Sequence, residues 1–517
     1  MTNIGFWHYA EKDPAPLALV APNGDEITRG ALLKECNQLV HGLRQLGMEP
    51  GDVVAVIMPN CKEMIAINLA ILQAGFYMVP INWHLAGSEV AYILEDSGAK
   101  VFISHERIKD AATQAVAEAN FDTQRAFAIG DIPGWRPYSD IIAEQPHTLP
   151  DNRSAGAVMN YTSGTTGKPK GVRRPLTGLS PEVGAQMSSG ILLMLGTLPE
   201  DNNVNITGSP LYHTAVMAWA SGSLHLGHAV VLMDKWEPEE MLRLIEKYRV
   251  TTSHMVPTQF IRLLKLPEQT REKYDCSSTR RMVHAAAPCP PDVKRAMIEW
   301  WGLSIYEYYA ATEGGGTIVS PEEWLKYPGT VGKAWPEADI KIFDDDANEL
   351  PVGEQGTVYM RLTERGNFEY KGNAKNTAEN RIGNYFTVGD IGYLNEEGYL
   401  FLCDRKIDMI ISGGANIYPA EIENVLILHE KVADCAVFGV PNDEWGEEIK
   451  AVVQPAEGVG SDDATTQEIM DFLASRIAKM KLPRSIDYLD ALPRDPNGKL
   501  FKRRLRDPYW EGRQRQV

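Results

Sequence analysis

The sequence predicts an α/β protein of two or more domains, and three observations carry that prediction. Its 517 residues exceed what a single core ordinarily holds. Strand-like apolar runs alternate with segments of helical period, the pattern of parallel sheets covered by helices. A loop rich in glycine, hydroxyl and lysine residues follows one of the apolar runs, where α/β sheets bind ligands.

Val53–Met58 reads as a strand and Glu63–Ala74 as a helix with apolar residues at i, i+3 and i+4. Phe76–Ile81 reads as a strand, Glu89–Ser97 as a helix and Val101–Ser104 as extended. Met64–Gly87 lacks Asp, Glu, Lys and Arg and is long enough to span a bilayer. Asn68, Gln73, Pro80, Asn82 and His84 lie within it, so a buried helix and strand are the better reading. Ala155–Tyr161, AGAVMNY, reads as a short buried strand. The alternation resumes at Asn205–Gly208, Ala229–Met233, Pro238–Tyr248, Thr251–Met255 and Met282–Ala285.

After Lys333 the character changes. Asp339–Phe343 and Gly356–Arg361 flank the turn-rich DDDANELPVGEQ and predict a β-hairpin, with a second around Asn395–Gly398. A fresh pattern starts at Asp404. The expected boundary therefore separates a large domain, 1–403, from a small α+β domain, 404–517.

Composition narrows the function. With 51 basic and 69 acidic residues the formal charge is −18, which disfavours nucleic acid as a partner. The six cysteines are far apart and form no CxxC pair, which fits a reducing cytoplasm better than a disulfide or zinc framework. No signal peptide is visible at MTNIGFWHYAEKD.

Tyr161–Val172 reads YTSGTTGKPKGV. Glycines let backbone N–H groups turn toward a ligand, hydroxyls add donors, and lysines add positive charge. Such parts hold anions, a polyphosphate above all. A Walker loop is excluded, because Gly164 stands only three residues before Gly167 and Pro169 follows Lys168.

Six further segments follow in order: PLYHT (Pro210–Thr214), AAAP (Ala285–Pro288), YAATE (Tyr309–Glu313), YFTVGD (Tyr385–Asp390), DRKIDMIISGGANIYPAEIE (Asp404–Glu423) and PRDPNGK (Pro493–Lys499). Together with the loop they closely resemble the adenylate-forming superfamily of acyl-CoA synthetases, amino-acid adenylation domains and beetle luciferases. The resemblance runs from about Phe6 to Arg504. It implies flavodoxin-like α/β subdomains and a β-barrel in the N-terminal domain, with a mobile C-terminal domain.

The reaction it implies has two halves. A carboxylate attacks the α-phosphorus of ATP, giving acyl-adenylate and pyrophosphate. A nucleophile, often the thiol of coenzyme A, then attacks the acyl carbon and AMP leaves. Thr162, Ser163, Gly164, Thr165, Thr166, Gly167 and Lys170 would hold the β- and γ-phosphates, and Glu313 would bind Mg²⁺. Tyr309 would stack on adenine opposite Ala286, Ala287 and Pro288, with Glu307 accepting from the adenine amino group and Tyr308 and Thr312 nearby. Core packing is the competing role for the tyrosines. Asp390 and Arg405 would take the ribose. Lys499 would bridge carboxylate and α-phosphate.

Ser412, Gly413 and Gly414 would line the pantetheine channel after the C-terminal domain rotates. Trp445 would face the CoA nucleotide, with a buried tryptophan the alternative. The hinge departs from the usual Asp-Arg-x-Lys-Asp, because Lys406 comes one place early and Ile407 fills the lysine slot. His213 resembles an aromatic gate. Trp219, Met255, Val256, Thr258, Ala310, Ala311 and Gly315 are candidates for the acyl pocket. No acidic partner for a substrate ammonium stands in MVPTQF or YAATE, so a bulky apolar acid is expected. Ser320–Lys333 looks like fatty-, aryl- and steroid-type acyl-CoA ligases. A carrier-protein ligase, a luciferase-like oxygenase and a non-enzymatic adenylate-binding protein are the competing readings. A homodimer is compatible with all of them.

Overall fold

Val53–Ile57 is apolar at every position because both of its faces are covered. Val54 and Val56 join one apolar cluster, and Val53, Ala55 and Ile57 join another on the opposite face. A computed structural model of the chain describes residues 4–162, 169–311, 314–336, 338–361, 369–370, 380–494 and 500–512. These fall into two compact units. One comprises Met1–Met255, Leu266–Met282 and Asn367–Ala378, and the other Val256–Lys265, Val283–Gly366 and Glu379–Val517.

The first unit holds a parallel sheet in the order Arg136–Pro137, Ala126–Ile129, Ala99–His105, Val53–Ile57, Tyr77–Pro80 and Ala157–Val158. The helix Lys62–Ala74 connects two of its central strands and buries Ile65, Ile67, Leu69 and Ile71. Each such side chain contributes about 1.5–3 kcal/mol. This accounts for the uncharged run Met64–Gly87, and among the described residues no helix is long and apolar enough to cross a membrane. A second sheet places Glu26–Thr28, Leu17–Val20, Ala229–Leu232, Val204–Thr207 and Thr252–Met255 side by side.

The run Ala155–Tyr161 is not one strand. Ala157–Val158 pairs in parallel with Tyr77–Met78, and the last bond to that strand runs from the Met159 N–H to the Met78 carbonyl at 2.8 Å. The chain then leaves the sheet, and Asn160–Thr162 pairs antiparallel with Lys170–Arg173. An apolar pattern alone does not mark that exchange of partners.

The second unit is largely antiparallel. Its strands follow the order Ile305–Ala311, Gly314–Val319, Thr330–Ala334, Leu400–Arg405, Asp390–Leu394, Gly356–Arg361, Tyr385–Phe386 and Arg381–Ile382. Both expected hairpins form: Ile340–Phe343 pairs with Gly356–Arg361, and Asp390–Leu394 with Leu400–Arg405. Asp404, the expected boundary residue, lies within the last of these strands. Its carboxylate accepts from the N–H groups of Arg405 and Ala420 at 2.7 and 2.9 Å.

Residues beyond Asp404 build a five-stranded sheet from Ile410–Ser412, Ala415–Ile417, Val432–Asn442, Gly446–Pro455 and Ser485–Tyr488. Helices Pro419–Leu426 and Asp463–Ala474 supply Ile422, Leu426, Ile469 and Leu473 to its core. Helix Pro257–Leu264 reaches the same core with Ile261, and Lys265 donates to the Val432 carbonyl just beyond its end.

Candidate active site

The glycine-rich loop springs from a hairpin with a fixed register. Thr162 stands opposite Lys170, Tyr161 opposite Gly171, and Asn160 opposite Val172. Glu369–Tyr370 adds a third strand beside Val172–Arg173. Ser163, Gly164, Thr165, Thr166 and Gly167 lie outside the described residues. The base of the loop is tied down on both sides. The Tyr161 hydroxyl donates to Asp96, and the Tyr92 hydroxyl donates to the Pro169 carbonyl at 3.3 Å. Burial, followed by that bond to Asp96, pushes the Tyr161 hydroxyl pKa upward, so the phenol stays protonated and donating. Gly171 packs closely under the Tyr161 ring: an added Cβ would stand 3.1 Å from Tyr161 Cζ, a tight contact.

The proposed nucleoside groups come together in the second unit. Antiparallel register sets Asp390 directly opposite Arg405. Arg405 Nε lies 3.5 Å from Asp390 Oδ1, and the Tyr309 hydroxyl donates to Asp390 Oδ2 at 2.5 Å. An aromatic face, a nearly buried carboxylate and a half-exposed guanidinium thus share one place. Ala286 has φ 72°, a left-handed conformation uncommon for a residue with a Cβ. It and Pro288 are exposed, and Ala287 is half-buried.

Successive residues of a strand point to opposite faces. Tyr308 is accordingly buried in the core, while Tyr309 shares its face with Glu307. Glu307 is already engaged by protein groups through one of its two oxygens. Its Oε2 accepts from Lys294 Nζ at 2.6 Å and lies 3.5 Å from His284 Nε2. Burial raises its pKa and the Lys294 charge opposes that rise. Thr312 and Glu313 lie outside the described residues.

His213 is the N-cap residue of helix Thr214–His225, and its ring centroid is 4.3 Å from that of Tyr212. In the first unit Trp219 and Met255 are buried, and the Trp219 ring lies 5.4 Å from His254. Burial pushes His254 down to about 4, so it is neutral at pH 7. In the second unit Val256 and Thr258 open the helix Pro257–Leu264, and Ala310 and Gly315 lie on paired strands. Ala311 pairs with Gly314 through its backbone.

Gly413 and Gly414 form a two-residue turn between Ile410–Ser412 and Ala415–Ile417, with φ 57° and 80°. Such a turn demands positive φ at both places. The Trp445 ring lies over it, and a Cβ on Gly413 would meet Trp445 Cε3 at 2.6 Å. Trp445 is 49% exposed, which removes the buried-tryptophan reading.

Lys499 lies outside the described residues, but its flanks are fixed. Arg494 bridges Leu500 through the backbone and grips both oxygens of Asp434 at 2.5 and 2.7 Å. Lys502 pairs with Glu423 at 2.8 Å. Within the hinge segment Lys406 pairs with Asp345, and Ile407 is exposed. Asp96, Lys294, Asp434 and Glu423 were not among the sequence candidates. Each contacts its partner within its own unit through the fold: Asp96 meets Tyr161, Lys294 meets Glu307, Asp434 meets Arg494 and Glu423 meets Lys502.

The chain matches the AMP-binding enzyme family over residues 6–364 and the AMP-binding enzyme C-terminal domain over residues 421–499. It is 31% identical to a long-chain-fatty-acid–CoA ligase of Mycobacterium tuberculosis, over 98% of this chain and 99% of that one. It is 29% identical to a fatty acid–[acyl-carrier-protein] ligase of Streptomyces coeruleorubidus, over 98% and 96% of the two chains. Among solved structures, ATP-bound MatB from Rhodopseudomonas palustris superposes with TM-score 0.81 at 27% identity, covering 98% of this chain and 99% of that one. The chain belongs to the AMP-binding family of adenylate-forming enzymes, the family of the acyl-CoA synthetases.

Proposed function

We propose that the protein is an AMP-forming acid–thiol ligase that activates a hydrophobic carboxylic acid with ATP and passes the acyl group to coenzyme A. The observation that carries this reading is the Tyr309–Asp390–Arg405 group. A flat ring, and an acceptor carboxylate with a cation beside it, match a purine and a ribose diol. The kinship with a fatty-acid–CoA ligase supports the thiol as acceptor.

In this reading the 163–168 loop holds the pyrophosphate leaving group, and Lys499 steadies the carboxylate against the α-phosphate. Mg²⁺ at Glu313 would offset phosphate charge. Residues 404–517 act as a mobile domain that turns about Asp404–Asp408 between half-reactions, bringing Gly413 and Gly414 to the acyl group. Such rotations use a few residues at element ends, and Asp404–Asp408 closes a strand and forms a short 3₁₀ turn.

The kinship with a carrier-protein ligase favours a second reading, in which a carrier thiol replaces CoA. A screen of carboxylic acids separates the two. Pyrophosphate release should depend on the acid, and AMP and thioester should appear together when CoA is present. Acid-dependent turnover that is indifferent to CoA and responds to a carrier protein would favour the second.

A further inference from the structure

Lys294 and Glu307 form an ion pair that solvent hardly reaches. The Lys294 and His284 side chains are fully buried, and Glu307 keeps 8% of its side-chain surface exposed. The Lys294 ammonium also lies 5.1 Å from the Trp324 ring centroid. Trp324 is set there by helix Pro321–Lys326. Its capping box pairs the Ser320 hydroxyl with the Glu323 N–H at 3.2 Å and the Glu323 carboxylate with the Ser320 N–H at 3.0 Å. A sealed ion pair is a poor device for stability alone, because an apolar pair of equal size does as well.

The place of the pair suggests its use. Among the described residues, both polar contacts of the Glu307 carboxylate fall on Oε2. Its strand face is that of Tyr309, whose hydroxyl reaches Asp390. We propose that Lys294 sets the nucleobase preference of the site by holding the Glu307 carboxylate as a pure acceptor. This rests on the adenylating reading above. Adenine offers an amino donor at the position where guanine offers a carbonyl acceptor. An ionised carboxylate accepts from the first and repels the second, whereas a protonated one can donate to the second.

The groups around Glu307 leave this task to Lys294. Lys294 comes from helix Pro291–Trp301 and His284 from strand Arg281–His284. The Cys289 thiol is pushed up by burial and by the Glu307 charge, so it stays neutral. The Phe260 ring packs edge-on against His284, 5.3 Å between centroids. Burial raises the Glu307 pKa, and Lys294 is the cation that opposes it.

The test compares Lys294→Met, Lys294→Arg and the double variant Lys294→Met/Glu307→Gln with the native protein. Acid-dependent pyrophosphate release is measured with ATP and with GTP, and AMP and GMP binding is measured by calorimetry. The native ATP/GTP ratio of kcat/KM should vary less with pH than that of Lys294→Met, because the buried Lys294 ammonium lies 2.6 Å from Glu307 Oε2. In Lys294→Met it should fall about tenfold or more near the acid end and recover toward the alkaline end as Glu307 ionises. Lys294→Arg should keep the native ratio. The double variant removes both charges, so it should fold even if the single one does not, with a lowered ratio that no longer depends on pH. A native ratio at every pH in folded Lys294→Met, or in the double variant, overturns the proposal. Native protein that binds AMP and GMP equally overturns it too and counts against the adenylating reading. AMP preference retained in all variants, the double variant included, overturns the roles of both Lys294 and Glu307 while leaving the adenylating reading in place.

Discussion

The Tyr161 hydroxyl donates to Asp96 Oδ2 at 2.5 Å, which fastens one strand of the glycine-rich hairpin to the helix Gly87–Ser97. A hydrogen bond to a charged acceptor contributes about 1.5–3 kcal/mol. Tyr161→Phe keeps the ring against Gly171 and loses only that bond. We expect a lower Tm and a several-fold higher KM for ATP, with thioester formation from pre-made acyl-adenylate unchanged. Melting curves and initial rates against ATP check this, and an unaltered KM would show that the hairpin base does not govern the loop.

Lys499→Ala should collapse adenylate formation by orders of magnitude while the second half-reaction largely survives. Equal loss in both half-reactions would remove Lys499 from its proposed role. Pyrophosphate release and thioester formation from synthetic acyl-adenylate measure the two steps separately.

Arg494 stands at the near end of the segment that carries Lys499, gripping Asp434 with two nitrogens. Arg494→Met should cost about 1–3 kcal/mol of stability, since it strands a partly buried carboxylate. Adenylation should fall about tenfold, in the same direction as Lys499→Ala and more weakly. Arg494→Lys should restore part of the rate. A variant that melts earlier with its adenylation rate intact would assign the pair to folding alone.

His225 is fully buried, and its Nδ1 accepts from the Phe6 N–H at 3.2 Å. Burial pushes it down to about 3, against roughly 6.5 in an unfolded chain. Below about pH 6.5 the unfolded state therefore takes up a proton that the native state refuses. This stability is complete above that pH and is lost as pH falls toward 3, at up to about 1.4 kcal/mol per pH unit. His228 and His254, pushed down to about 4, act in the same direction. Stability from denaturant melts should decline between about pH 7 and pH 5, and His225→Gln should flatten the decline by about one proton.

Gly413→Ala places a methyl group against the Trp445 ring at a φ of 57°. Thioester formation should drop while acid-dependent pyrophosphate release is maintained. Both half-reactions falling together would point to a misfolded C-terminal sheet rather than to the turn itself.

Much of the fold was legible in the sequence. Helix Pro238–Tyr248 has its expected limits because Pro238 opens it and Arg249, left-handed at φ 50°, closes it. The parallel strands were readable because burial on both faces demands unbroken apolar runs. The break at Met159 was not, since it depends on which strand lies alongside. For the site, motif order pointed to Tyr309, Asp390 and Arg405; register sets Asp390 opposite Arg405, and a side-chain hydrogen bond joins Tyr309 to Asp390. The Glu307–Lys294 pair was hidden. Nothing in a linear pattern says that a helix thirteen residues before Glu307 delivers an ammonium to it.

Helix Pro257–Leu264 carries Thr258 in its first turn and Ile261 one turn later, packed on the core of the five-stranded sheet. Lys265 extends that grip to the Val432 carbonyl. In the rotation proposed for residues 404–517, this helix must surrender its apolar cover and one hydrogen bond. Ile261 and Lys265 would then act as a latch whose strength sets how readily residues 404–517 let go.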